Sequence, residues 1–169
     1  MEFQDLIRSR RSIRSFKRDA PPQSSVDTIL EAIRTAPSAG NLQAFRVKVV
    51  REEPALRALS QAACGQGFIA KAPLVLVFMA DQAQSQDKYG QRGRDLYSIQ
   101  DATIACLYAH LATADAGLGS SWIGAFSHEE VSAALGLPEH LLPVALLPLG
   151  FPAEAPAPTP RKTICELLL

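Results

Sequence analysis

Arg8-Ser9-Arg10-Arg11-Ser12-Ile13-Arg14-Ser15-Phe16-Lys17-Arg18 holds six cations in eleven residues and no acid. The whole chain balances 17 basic against 17 acidic side chains over 169 residues, so this clustering has a local cause. Runs of Lys and Arg are most often solvated faces, and charge alone points no further. Spacing adds to it. Phe3, Leu6 and Ile7 fall on one face of an opening helix, with Arg10, Arg11 and Arg14 following at its end. Guanidinium forks converging there, with the Ser9, Ser12 and Ser15 hydroxyls between them, present the paired planar donors that suit phosphate oxygens. A phosphomonoester of charge about −2 is the natural guest, each charge-assisted hydrogen bond contributing roughly 1.5–3 kcal/mol. A nucleic-acid backbone is the other candidate anion. Against it, Phe16 is the sole stacking aromatic of the stretch, and a balanced net charge does not make a broad basic surface.

Length and composition narrow the class. A chain of 169 residues with 47% apolar side chains is expected to form one globular domain, residues 1–169, with a real core. The opening has no apolar signal segment, and no run approaches the ~18 apolar residues that span a bilayer. The expected location is therefore cytoplasmic, with no membrane partner. Cys64, Cys106 and Cys165 have neither metal-ligand nor CxxC spacing, so no metal site is expected.

Outward from the basic stretch, Pro21-Pro22-Gln23-Ser24-Ser25 breaks the chain and offers serine caps to a helix. Val26, Ile29, Leu30 and Ile33 form its buried stripe, and Pro37 stops it near Ala36. Pro37-Ser38-Ala39-Gly40-Asn41-Leu42-Gln43 reads as a turn-rich loop before an alternating strand over 45–50. A short helix over 54–64 comes next. The apolar run Pro73 to Ala80 fits a central strand covered on both faces. The glutamine-rich stretch Asp81 to Asp95 reads as a long mobile loop or lid.

A long helix over 96–116 carries Leu96, Ile99, Thr103, Cys106, Leu107, His110, Leu111 and Ala114 along a heptad-like seam. Its alanines suggest close packing on several sides, one of them to a second subunit. His110 reads as a packed, hydrogen-bonded core histidine. Gly117-Leu118-Gly119-Ser120-Ser121-Trp122-Ile123-Gly124 closes this helix, so it is not the strand-to-helix glycine fingerprint of dinucleotide folds. Ser127-His128-Glu129-Glu130 is a capping box that opens a helix to Leu135. The run Val144 to Gly150 is a buried strand whose Pro148 implies an edge or a bulge. The proline-rich strap 152–160 is extended and ends in Arg161-Lys162, which a stiff strap can return to the N-terminal arginines.

Taken together and in order, Arg10-Arg11-Ser12-Ile13-Arg14-Ser15-Phe16, Pro37 to Gln43, Ala72-Pro73, the run ending at Ile123-Gly124, Leu149-Gly150-Phe151-Pro152 and Arg161-Lys162 resemble the flavin-dependent nitroreductase family. The chain has Ala44-Phe45 where that family has Pro-Trp, and Thr163 after the terminal basic pair where it has Pro. The resemblance implies an α+β fold, a mostly antiparallel central sheet flanked by helices, in an intertwined homodimer with FMN in two interface clefts. By that resemblance Arg10, Arg11, Ser12, Arg14 and Arg161 bind the FMN phosphate and ribityl chain. Pro37, Ser38 and Ala39 line the ring from the partner subunit, Asn41 and Gln43 brace that loop, and Ile123 and Gly124 present backbone groups to the ring edge.

The implied activity is an FMN-dependent NAD(P)H oxidoreductase. NADH or NADPH reduces the cofactor, which then passes electrons to a nitroaromatic, a quinone or a similar small acceptor in a ping-pong cycle. No catalytic side chain is required, because the cofactor carries the chemistry. The alternative is a flavin-binding storage, delivery or sensing protein with little turnover.

Overall fold

The computed structural model of the chain describes residues 2–169. Among these, β1 (Phe45–Val50), β2 (Leu74–Asp81), β3 (Gly119–Ser120) and β4 (Leu141–Gly150) form a four-stranded antiparallel sheet in the order β1-β2-β4-β3. The continuous apolar run becomes β2, which is buried at every position and paired on both edges. Successive side chains point to opposite faces of a strand. Leu74, Leu76 and Phe78 therefore share one face with Ala145, Leu147 and Leu149, while Val75, Val77 and Met79 share the other with Leu146.

Helices cover both faces. On the first lie α2 (Gln23–Arg34), through Val26, Ile29 and Ile33, and α6 (Ser98–Asp115), through Ala105, Cys106 and Ala109. On the second lie α3 (Glu53–Ala62), α4 (Gly67–Lys71) and α7 (His128–Leu135), through Leu56, Leu59, Ile69, Val131 and Leu135. This is the expected α+β arrangement. No helix among the described residues is long and apolar enough to cross a membrane.

Several elements differ from their sequence readings. The stretch expected as a mobile loop is helical: α5 (Gln82–Arg92) starts on Asp81, whose side chain accepts from the Gln84 N–H, and a π turn over Gly93–Tyr97 leads into α6. Its polarity misled because Ser85 is its one buried side chain, while Gly93 packs directly against the Ser85 carbonyl. α2 begins at Gln23, with Pro22 at the N-cap and neither serine capping it.

The packed face of α6 keeps Cys106 and His110 of the predicted seam but is rotated away from the rest of it. Ala102, Ala105, Ala109 and Thr113 turn inward, leaving Thr103, Leu107 and Tyr108 exposed. Small residues let the helix approach the sheet closely, and Leu107 and Tyr108 face out. Pro148 sits inside the sheet rather than at an edge, and the register shift lies elsewhere, between Phe78 and Met79 opposite Ala145 and Pro143. Its carbonyl accepts from the Ser121 N–H at 3.3 Å. Its ring nitrogen faces the same side, where the pairing resumes in register at Ile123 and Leu146, so the bond a proline cannot donate is the one to the Ser121 carbonyl, and β3 stops at Ser120.

The basic stretch is pinned to this sheet. α1 (Phe3–Ser9) ends before Arg10, and the chain then runs extended. Ser12 bridges Ser120 in parallel and Phe16 bridges Pro152 in antiparallel. The Ile13 N–H donates to the Ser120 carbonyl at 3.0 Å, Lys17 N–H to Phe151 at 2.9 Å, and Ala153 N–H to Ser15 at 2.9 Å. Ile13 is buried over Gly119, where a Cβ would lie 2.7 Å from its Cγ1. Alternation then turns Ser12 and Arg14 outward.

Gly119→Ala forces Ile13 and its segment off β3 and should cost about 1–3 kcal/mol in urea unfolding. Gly67→Ala, whose added methyl meets nothing within 4 Å, should leave the midpoint within experimental scatter.

Candidate functional site

Arg8, Arg10, Arg11, Arg14 and Arg161 surround one cavity of about 540 Å³, with Ser12 and Thr159 among its other lining residues and no acid. The strap brings Arg161 back from the far end of the chain, as its stiffness suggested. Glu154 fastens that strap: its Oε1 accepts from the backbone N–H groups of Arg14 and Ser15, the latter at 2.9 Å. Beyond the basic pair, Thr163 and Glu166 make a reciprocal capping box on the turn Ile164–Glu166, which accounts for a threonine at that position.

The cations are not equivalent. Arg11 Nη1 donates to the carbonyls of Arg8 at 2.6 Å and Arg10 at 2.9 Å, so one end of its fork caps the C-terminus of α1. Arg10 is half-buried. Burial first, then the neighbouring charges of Arg161 and Arg11, pull its guanidinium below its ordinary value. Five like charges around one cavity repel one another, and an anion placed among them relieves that repulsion.

Arg10 also has a partner on α6 that sequence reasoning did not supply. Its Nη1 lies 2.8 Å from His110 Nε2, and His110 Nδ1 lies 2.7 Å from Ser120 Oγ. His110 is the packed, hydrogen-bonded histidine that was expected, but a contact 100 positions away in sequence leaves no local signal. An adjoining cavity of about 450 Å³ runs between Arg10, Ile13, Gly119, Ser120 and Glu154.

The loop Pro37 to Gln43 lines neither cavity, so within one chain the arginine cluster and this loop are not brought together. It is nonetheless held in a defined shape. Gly40, Asn41 and Gln43 have φ of 54°, 55° and 52°, and left-handed backbone at two non-glycine residues is held by surrounding structure rather than by preference. Gln43 N–H donates to Ser38 Oγ at 2.9 Å, Gln84 Nε2 to the Leu42 carbonyl at 2.9 Å, and Ala39 N–H to Asp101 Oδ1 at 2.8 Å. Burial pushes the Asp101 carboxyl up, opposed by the N–H groups of Ala39 and Ala44. Asp101 escaped notice in the sequence, though an acid on an otherwise alanine-rich helix face was the available signal.

Ile123 is buried, and its N–H and C=O are both spent on Leu146, at 2.9 and 3.0 Å. Gly124 beside it is exposed and is the member of that pair open to a ligand. Among the described residues no group of acids, histidines and cysteines is arranged to hold a metal ion.

The donor set suits a phosphate ester. Cations and hydroxyls line the cavity from both ends of the chain with no competing carboxylate, which is the requirement for a small dianion.

Known proteins carry the same architecture. A family model described as the nitroreductase family matches residues 7–66 and 52–151. The NADH dehydrogenase of Thermus thermophilus is 36% identical over 187 residues, covering 95% of this chain and 91% of that protein. The FMN reductase (NAD(P)H) of Bacillus subtilis is 34% identical, covering 89% of this chain and 66% of that one. Among solved structures, B. megaterium NfrA2 superposes with a TM-score of 0.90 at 29% identity, over 98% of this chain and 72% of that one. With a family model matched over most of its length and a relative 36% identical over nearly all of it, the chain belongs to the nitroreductase family.

Proposed function

We propose that this chain is an FMN-dependent NAD(P)H oxidoreductase that reduces small acceptors such as nitroaromatics or quinones. The observation that carries the reading is the acid-free cavity ringed by guanidinium groups from both termini. The names of relatives with FMN reductase and NADPH nitroreductase activities support the same cofactor and donor. FMN, when bound, supplies the capacity to accept hydride from a nicotinamide and pass electrons on.

The chain's own residues bind and orient. Arg10, Arg14 and Arg161 hold the phosphate, Arg11 adds the free end of its fork, and the Ser12 hydroxyl joins them. Each charge-assisted bond of this kind is worth roughly 1.5–3 kcal/mol. Gly124 offers backbone to the ring edge, in place of Ile123, whose backbone is already engaged. No side chain is needed as acid or base, and solvent delivers protons.

Pro37, Ser38 and Ala39, braced by Asn41 and Gln43, complete the site from a second copy of the chain. Supporting a homodimer, Phe3 and Ile7 on α1, Leu107 and Tyr108 on α6, and Ile164, Leu167, Leu168 and Leu169 at the C-terminus are large apolar side chains left exposed. So many of them are costly to leave in water.

Purified protein should be yellow, and its flavin absorption should bleach on anaerobic addition of NADH or NADPH and recover with a quinone. A yellow protein that does not bleach is a flavin carrier instead. Arg10→Ala and Arg161→Ala should each weaken FMN by about 10–100-fold while riboflavin, which lacks the phosphate, binds as before. Unchanged FMN affinity in both variants would falsify the phosphate assignment. Leu107→Glu, on the exposed side of α6, should shift sedimentation toward monomer and lower FMN occupancy with it.

A further inference from the structure

We propose that His110 is a positioning residue for the anion cavity: its neutral imidazole accepts a hydrogen bond from Arg10 and aims that guanidinium without cancelling its charge. The inference rests on the FMN reading above and deepens it.

Hydrogen-bond chemistry assigns the proton. Arginine carries donors only, so the 2.8 Å contact requires His110 Nε2 to be the acceptor. The ring proton then sits on Nδ1 and donates to Ser120 Oγ at 2.7 Å. The link to Ser120 is buried, His110 being 6% and Ser120 3% exposed, and the link to Arg10 is partly buried. Burial first, and the Arg10 charge second, push the imidazole down to about 4, which keeps it an acceptor at neutral pH.

Ser120 has a second role in the same unit. Its backbone carbonyl receives the Ile13 N–H, so one residue of β3 fixes both the backbone that follows Arg10 and, through His110, the Arg10 side chain. A flexible guanidinium is thereby held in one rotamer before any ligand arrives, which lowers the ordering cost of binding.

The choice of a neutral partner matters as much as its place. A carboxylate at this position would hold Arg10 at least as firmly, but it would put a negative charge beside a cavity whose lining has none. An imidazole with its proton on the far nitrogen fixes the cation and leaves its full charge to the ligand. One Nη1 donor is committed to His110, and the rest of the fork remains for the phosphate.

The test titrates FMN and riboflavin into the apo forms of wild type, His110→Leu, His110→Gln, Arg10→Ala and the Arg10→Ala/His110→Leu double variant. His110→Leu should weaken FMN about tenfold and leave riboflavin unchanged. His110→Gln, whose amide oxygen can accept from Arg10, should stay within about threefold of wild type. In the double variant the leucine should add nothing to the loss from Arg10→Ala, since it acts through that residue. FMN affinity in His110→Leu equal to wild type, equal losses for both flavins, or additivity in the double variant overturns the inference while leaving the FMN reading intact. A wild-type protein that binds neither flavin overturns the reading itself. Nitrogen NMR of unliganded wild type needs no variant to fold: a neutral ring protonated on Nδ1 at pH 7 is expected for His110. A ring protonated on Nε2, or an imidazolium, refutes the proposal.

Discussion

The extended pairing of residues 12–17 with the edge of the sheet decides where the charge of this molecule sits. Ser12 meets Ser120, Lys17 meets Phe151, and Ala153 returns to Ser15, so one short segment is held by β3 on one side and by the start of the strap on the other. Those backbone bonds are indifferent to side-chain type. Their effect is electrostatic all the same, because they fix the alternation that buries Ile13 and turns its neighbours outward. The close fit of Ile13 over Gly119 sets the register, since a slip of one residue would bury Ser12 or Arg14 and expose the isoleucine.

The sheet can offer such an edge because its interior is finished elsewhere. β2 and β4 carry the core on both faces, and β3 adds only two residues to the ladder. β3 ends the strand order, so its outer side is free, and Ile13 joins it at the Ser120 carbonyl. α6 serves the same end from below. Its inward alanines bring its axis close to the sheet, and at that distance His110 reaches Ser120 and Arg10 together. A larger residue at Ala109 would lift the helix and break both contacts.

Legibility in the sequence followed the range of the interactions. The β2 run, the α2 stripe and the Ser127 cap with Gly136 in its left-handed stop were readable because each rests on neighbours a few residues apart. The Ser127 cap did form, its hydroxyl accepting from the Glu130 N–H, but the reciprocal half of the box is absent because the Ser127 N–H donates to the Ala62 carbonyl. The glutamine-rich α5 was missed because its helicity depends on Asp81 and on the fit of Gly93 against Ser85, neither of which makes a periodic apolar pattern. The rotation of α6 was missed for the converse reason: with apolar residues on most sides, periodicity does not say which side is inside. For the site, the arginines were conspicuous as a charge anomaly. Asp101 and the Arg10 partnership of His110 depend on distant contacts and were not.

The two halves of the proposed site are each stiff on their own terms, and this bears on how they come together. The arginine half is set by β3, the strap and His110. The loop half is set by Asp101, Gln84, Ser38 and three left-handed residues, with no contact to the arginine cavity in the same chain. Left-handed backbone at Asn41 and Gln43 costs of order 1 kcal/mol or more apiece, and that cost is met within the fold before any partner or ligand arrives. In the proposed homodimer, association would join preformed surfaces, so little further ordering would be required of either half. If the loop were ordered only by the cofactor, apo and loaded proteins would differ in dimer strength. With the loop ordered by its own chain, the proposed dimer would be the scaffold and the cofactor its guest.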